Sequence, residues 1–212
     1  MSAQQRLERL QKLLGHIRED VFHCIRFYEL FARCADKRDI LDAMSYSKPQ
    51  AGFSASRDAL HMSLMSALNR IYDLHADTAS LKSILSIVKD QAVVDLILAS
   101  KDEKQREEIR ARLKYAIETC DKAVDSESAR QIRGLRDRFL AHRDPRGRID
   151  GLKHGQEREL LEVAWPVIST FIEIFSEDHP HFDVMVMDWK QHSDNFWSNA
   201  LNGPLASKPE EK

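Results

Sequence analysis

The residues with the clearest capacity for chemistry lie in one short stretch, ARQIRGLRDRFLAHRDPRGR, at positions 129–148. It holds seven arginines and one histidine against two aspartates, in a chain whose net charge is −2. An arginine side chain stays protonated and can bind a phosphate through two parallel N–H groups. A histidine can take up and release a proton near neutral pH. The stretch could therefore bind a phosphodiester and move protons at it.

Three residues within this stretch could together cleave RNA: Arg136, Asp137 and, after four further residues, His142. In such a reaction the 2′-hydroxyl attacks the adjacent phosphate, so a proton must be moved and a growing negative charge stabilised. His142 is the candidate for proton transfer, Arg136 for stabilising the phosphate, and Asp137 for orienting the base or the arginine. The alternative, which charge alone favours, is a solvated helix face whose arginines pair with acids on neighbouring helices.

Helical geometry leaves open which arginine is the partner of His142. Six residues along an ideal helix leave Arg136 and His142 about 120° apart around the axis. Arg138, four residues before His142, lies on nearly the same face. Either the helix loosens before Pro145, or the Arg136 side chain reaches round, or Arg138 is the true partner; Arg136 is the first choice. The arginines predicted to bind substrate are Arg133, Arg138 and Arg143.

The elements that carry this stretch are predicted to be helices. Gly and Pro number only 7 and 6, too few for the many turns of an all-β chain. Apolar residues recur three and four positions apart, which is typical of helices. Helices are predicted over residues 4–34, 38–44, 56–75, 93–98, 156–177 with a kink at Pro166, and 182–201. Further helices are predicted after a cap at Thr78, after a capping box of Ser100 and Glu103, and after a cap at Asp125 or Ser126, the last ending near His142. One domain is expected over residues 1–202, with a disordered tail over 203–212.

The order of residues around His142 resembles a known motif. The string LRDRFLAHRD is similar to the Rx4–6H motif of the HEPN superfamily, and closer still to its abortive-infection U-type branch. The earlier strings SALNRIYD, at 66–73, and SLKSIL, at 80–85, match that branch in type and order. The resemblance covers roughly residues 10–175.

This resemblance implies a fold, an activity and partners. The fold is an all-α bundle of four or more up-and-down core helices, here with an additional C-terminal helix, and it forms a homodimer in which two motifs face one cleft. The activity is that of a metal-independent endoribonuclease, a toxin or abortive-infection effector, which leaves a 2′,3′-cyclic phosphate and a 5′-hydroxyl. Arg136 and His142 are then the motif pair and Asp137 the accompanying polar position, RNA is the substrate, and an antitoxin protein is a further expected partner. The alternative is a non-catalytic module that binds RNA, a nucleotide or a protein, because a fold does not fix a function.

Other chemistries are disfavoured by the composition. Cys24, Cys34 and Cys120 form no CxxC pair, which argues against a disulfide framework and a zinc site. No metal or other cofactor is expected. The charged N-terminus lacks the apolar core of a signal peptide, and no apolar run approaches the ~20 residues of a membrane span, so we expect a cytoplasmic protein.

Two other groups of residues have less specific interpretations. Arg70 and Asp73 lie one helical turn apart, and either line the cleft or tie the end of their helix to a neighbour. Core, interface or ordinary polar positions are expected for His61, His75, Trp189, Phe196 and Trp197.

Overall fold

The computed structural model describes residues 1–45, 50–135, 155–176 and 178–202. Over these ranges the chain forms nine α-helices and no strand, which confirms the predicted all-α class. The helices are α1 (Ala3–Asp36), α2 (Arg38–Ser45), α3 (Gln50–Ile71), α4 (Leu81–Val88), α5 (Gln91–Leu98), α6 (Glu103–Val124), α7 (Glu127–Leu135), α8 (Gln156–Ser176) and α9 (Phe182–Asn202). The predicted tail, 203–212, lies outside the described residues.

Helix α1 is the central element of the bundle. It begins with a capping box in which the Ser2 hydroxyl accepts the Gln5 N–H at 3.2 Å and the Gln5 side chain accepts the Ser2 N–H at 2.8 Å. Its buried apolar residues belong to one large core: Leu7, Leu10, Leu13, Leu14, Ile17, Val21, Cys24 and Ile25. It packs against α2, α3, α4, α5, α8 and α9. The apolar stripe that predicted this helix is therefore buried within the chain itself.

The direction of α3 relative to α1 is that of neighbouring core helices in an up-and-down bundle. Helix α3 is antiparallel to α1, because Arg70 binds Asp20 while His61, earlier on α3, stacks on Phe31, later on α1. Helix α8 packs on α1, α3 and α6. Together α1, α3, α6 and α8 form the core of the bundle.

Helix α9 is the predicted additional C-terminal helix, and it lies parallel to α1. Near its start, the ring of Phe182 packs edge-on against Phe22 with centroids 5.3 Å apart. Near its end, Trp197 Nε1 donates to the Leu30 carbonyl at 2.9 Å. Trp197 also closes a smaller apolar cluster with Cys34, Ile40, Met44 and Phe53.

The sequence placed the start of α3 too late. This helix was predicted to begin at residue 56, but α3 begins at Gln50. The reason is tertiary: the ring of Phe53, within the first turn, packs against Trp197 at 5.4 Å. This contact stabilises the first turn of α3. Trp197 lies far from Phe53 along the chain, so local sequence does not reveal the contact.

Two predicted caps were wrong by two residues. Ser80, not Thr78, caps α4 by accepting the Ser83 N–H at 3.3 Å. The capping box of α6 starts at Asp102 rather than Ser100, since the Lys101 N–H closes a turn onto Leu98. In both cases the residue immediately before the helix supplies the acceptor. Pro166 lies within α8 as expected, and its kink stays a prediction.

Candidate functional site

Helix α7 leads directly into the predicted motif. The Ser126 hydroxyl accepts the Ala129 N–H at 3.2 Å, which confirms Ser126 as a cap, and Ala129 and Ile132 are buried. The helix is described as far as Leu135. Five predicted site residues follow in what we call the motif segment, residues 136–154, which lies outside the described residues: Arg136, Asp137, Arg138, His142 and Arg143. The structure thus defines the two flanks of the motif segment.

Arg133, the one predicted substrate-binding residue that is described, clamps α7 to two other helices. Its Nη1 donates to the carbonyl oxygens of Val124 at 3.0 Å and Tyr72 at 3.2 Å. Val124 ends α6 and Tyr72 follows α3 directly, so both carbonyls lie at the negative ends of helices. Burial lowers the pKa of the Arg133 guanidinium, and the Asp125 carboxylate opposes this shift. This nitrogen therefore holds α7 to the ends of α3 and α6. Substrate binding by Arg133 stays a prediction.

A second hydrogen bond also joins α7 to α3. Asn69 on α3 is buried, and its Nδ2 donates to the Ile132 carbonyl at 3.0 Å. The Tyr72 hydroxyl donates to the Leu160 carbonyl of α8 at 2.7 Å. Helix α3 therefore holds both α7 and α8, the two helices that border the motif segment.

The motif segment returns to the bundle at the start of α8. Gly155, which has a φ of 96° that favours glycine, precedes the helix. In the first turn, Gln156 Nε2 donates to the Ser128 hydroxyl of α7 at 3.1 Å. The next residue, Glu157, is only 5% exposed, and its carboxylate lies 3.3 Å from Nε2 of His61 on α3. The imidazole of His61 in turn stacks on Phe31 at 4.7 Å.

The environment of Glu157 keeps it ionised. Burial raises the pKa of this carboxyl, but the hydrogen bond with His61 and bonds from backbone N–H groups at the start of α8 outweigh burial and lower the pKa below its ordinary value. A carboxylate in the first turn also complements the positive end of the helix dipole. The sequence treated His61 as an ordinary position. Its partner is 96 residues away, so no local pattern reveals the pair.

Arg70 lies outside this arrangement. Its Nε and Nη2 donate to the Asp20 carboxylate of α1 at 2.8 and 2.6 Å. Asp73 is buried, and its carboxylate accepts the His75 N–H at 3.2 Å. Of the two interpretations offered by the sequence, Arg70 follows the structural one, with Asp20 as its partner.

Two general features complete the description. Within the described ranges, no group of three or more His, Cys, Asp or Glu side chains is arranged to hold a metal ion. Among the helices described here, none is both long and apolar enough to cross a membrane.

Comparison with known families shows which family this chain belongs to. The sequence model of one HEPN family, AbiU2, matches residues 4–196, which run from α1 into α9 and include the motif segment. The chain belongs to the AbiU2 family. No curated protein and no solved structure matches it. The AbiU2 match confirms the resemblance to an abortive-infection HEPN protein that the residues around His142 first indicated.

Proposed function

We propose that this AbiU2 protein is a metal-independent endoribonuclease that acts as a toxin or abortive-infection effector. The observation that carries the proposal is the order Arg136, Asp137, four residues, His142, which directly follows the anchored helix α7 in a chain that the family matches almost throughout.

In the proposed reaction the RNA supplies its own nucleophile. His142 accepts the proton of the 2′-hydroxyl and delivers it to the departing 5′-oxygen, and Arg136 stabilises the charge on phosphorus-bound oxygens. The 2′-oxygen–phosphorus bond forms while the phosphorus–5′-oxygen bond breaks, which leaves a 2′,3′-cyclic phosphate and a 5′-hydroxyl. Asp137 orients the base or the arginine. A homodimer would bring two such motifs to one cleft.

The anchoring of the two described flanks supports this proposal. Arg133 ties α7 to the ends of α3 and α6, and Glu157 ties the start of α8 to His61 on α3. Gln156 joins the two flanks directly through Ser128. Catalytic groups need such support, because errors of about 1 Å in their placement can cost about 100-fold in rate.

Around this site, Arg133, Arg138 and Arg143 are proposed to bind the RNA backbone as cations. Arg138 also remains the alternative partner of His142. A toxin of this kind needs a means of control, so we further propose a cognate antitoxin protein as a partner.

The test is cleavage of total cellular RNA in the presence of EDTA, with analysis of the RNA ends. We expect wild type to cut and His142→Ala and Arg136→Ala to lose about 100-fold or more of the rate. Arg138→Ala decides which arginine is the main partner. Arg130→Ala is the matched control. Arg130 lies exposed on α7, and its partners among the described residues are the nearby Asp125 carbonyl and the Glu127 carboxylate.

Two results would contradict the proposal. Cleavage that persists in both motif variants would assign the activity to another site or to a contaminant. RNA binding without cleavage, by a protein purified with and without its antitoxin, would favour the non-catalytic binding module.

A further inference from the structure

Helix α1 has an open face between α3 and α9. On the side of α3 this face forms a cavity of about 400 Å³, which we call the α1 groove, lined by His23, Phe27, Met62, Ser63, Ser66 and Arg70. Met62 is 41% exposed at its edge. The groove is shallow and open, which suits an extended partner better than a compact small molecule.

A row of stacked side chains joins the groove to α9. The imidazole of His23 stacks on Phe27 with centroids 6.1 Å apart and planes at 20°. Arg26 lies between two rings, with Cζ 5.4 Å from the centroid of Phe27 and 5.6 Å from that of Trp189. Trp189 then contacts His192 at 5.5 Å. One cation, Arg26, therefore lies between two pairs of aromatic side chains on this face of α1.

The guanidinium of Arg26 has no carboxylate partner among the residues that the structure describes. Aromatic rings attract the cation through their faces but do not satisfy N–H donors that point along the guanidinium plane. Arg18 offers a contrast, because it too lies 5.4 Å from a ring, that of Phe22, yet also pairs with Asp178. Arg26 thus keeps donors for an external anion.

The chemistry of this face fits single-stranded RNA. Proteins that bind single strands combine cations for the phosphates with aromatic rings on which bases stack. Phe196, one turn beyond His192 on α9, adds a ring that is 53% exposed. Ser63 offers a hydroxyl in the groove. A duplex would not fit, because its bases are stacked on each other and their faces are not available.

A second copy of the chain fits less well. In a two-fold symmetric contact the same surface meets itself. Arg26 of one copy would then face the α1 groove of the other copy, in which Arg70 is already paired with Asp20. Such a contact supplies apolar area but no anion for Arg26. A phosphate supplies that anion.

The groove also lies close to the return point of the motif segment. Phe27 is one helical turn before Phe31 on α1. Phe31 stacks on His61, and His61 binds Glu157 at the start of α8. A single RNA strand bound in the α1 groove would therefore lie near the start of α8, which follows the motif segment.

We propose that the α1 groove and its stacked row bind a single-stranded part of the RNA substrate, with Arg26 on a backbone phosphate and a base stacked on the exposed ring of Phe196. The proposal rests on RNA being the substrate of this protein. It assigns substrate positioning to residues outside the motif segment.

The test is binding of a fluorescently labelled, single-stranded 2′-O-methyl RNA, which cannot be cleaved by 2′-hydroxyl attack, measured by anisotropy at several salt concentrations. We expect Arg26→Ala to weaken binding about ten-fold and to lower the slope of log Kd against log salt by about one. Arg18→Ala, the control at a similar but ion-paired position, should bind like wild type. A duplex of the same sequence should compete poorly.

The outcomes separate this inference from the proposed function. If wild type cleaves RNA but Arg26→Ala binds with unchanged affinity and salt slope, the groove is not the binding surface and the endoribonuclease proposal stands. If the strand binds through Arg26 but is never cut in its unmodified form, the groove stands and the proposed reaction fails. A loss of self-association in Arg26→Ala, with no RNA affinity in wild type, would overturn the inference in favour of a second copy. Circular dichroism confirms that the variants are folded.

Discussion

The carboxylate of Glu157 and the imidazole of His61 lie 3.3 Å apart and join the first turn of α8 to the middle of α3. The pair connects two core helices at the point where the motif segment re-enters the bundle. It also explains why a buried carboxylate is tolerated there, because a buried charge needs a hydrogen-bonded partner.

Replacing Glu157 by Gln should destabilise the fold by about 1–3 kcal/mol at neutral pH, because the charged hydrogen bond and the helix-dipole interaction are both lost. Urea unfolding measures the difference. Glu162→Gln is the control on the same helix, since Glu162 forms an exposed pair with Arg158 that should contribute under about 1 kcal/mol. Equal effects of the two changes would contradict the structural role of Glu157.

The same residue gives a pH dependence with a definite sign. The pKa of Glu157 is lowered on folding, so its carboxylate stabilises the fold above the ordinary glutamate pKa of about 4.3. That contribution is lost as the pH falls below this value through the lowered pKa. Unfolding curves of wild type and Glu157→Gln should therefore converge in acid. A constant difference down to acid pH would show that Glu157 does not titrate as described.

Replacing Arg133 by Met should destabilise the protein by about 1–3 kcal/mol, because Met keeps the length of the side chain but leaves the carbonyls of Tyr72 and Val124 without this donor. Thermal unfolding is the measurement. Arg130→Met, on the exposed side of α7, serves as the comparison and should have little effect. If both variants were equally stable, the clamp would not contribute to the fold.

The clamps should also affect cleavage. Both Glu157→Gln and Arg133→Met are expected to lower the cleavage rate at saturating RNA by about ten-fold, since they loosen the flanks of the motif segment. Binding of 2′-O-methyl RNA by Glu157→Gln should change less than its cleavage rate, because Glu157 contacts His61 and does not line the α1 groove. A pure loss of affinity, with an unchanged rate at saturation, would place this residue in substrate binding instead.

The three thiols should react slowly with Ellman's reagent in the folded protein. All three cysteines are free and buried. Burial raises the pKa of Cys34 to about 11 and also raises those of Cys24 and Cys120, and only the thiolate reacts. Three equivalents should appear upon denaturation. Rapid reaction of Cys34 under native conditions would show that the small cluster around Trp197 opens readily.

Local patterns predicted the helices well, because apolar periodicity is contained within each one. Ser126 was one of the two caps predicted for α7, beside Asp125, and the residues around His142 indicated the family. Where several hydroxyl and carboxyl residues compete for a cap, as at Thr78 and Ser80, the sequence does not decide between them. The family of the chain could thus be predicted from a few short strings of its sequence.

Contacts between distant residues could not be predicted. Phe53 extends α3 toward Trp197, His61 binds Glu157, and Arg70 binds Asp20 across 50 residues. Each depends on how helices pack, which a single sequence does not state. At the candidate site, the sequence proposed Arg133 as a substrate ligand, whereas its Nη1 binds two backbone carbonyls. Substrate binding by Arg133 and the roles of Arg136, Asp137, Arg138, His142 and Arg143 stay predictions.

The central position of α1 has a consequence for how the chain folds. Its carbonyl groups at Glu29 and Leu30 accept hydrogen bonds from Ser193 and Trp197, 164 and 167 residues later. Such separations raise the contact order and slow folding. During synthesis, α1 emerges well before α8 and α9, and part of its apolar surface has no cover until they follow. Helix α1 is therefore synthesised before α8 and α9 but completes its packing only after both have been made.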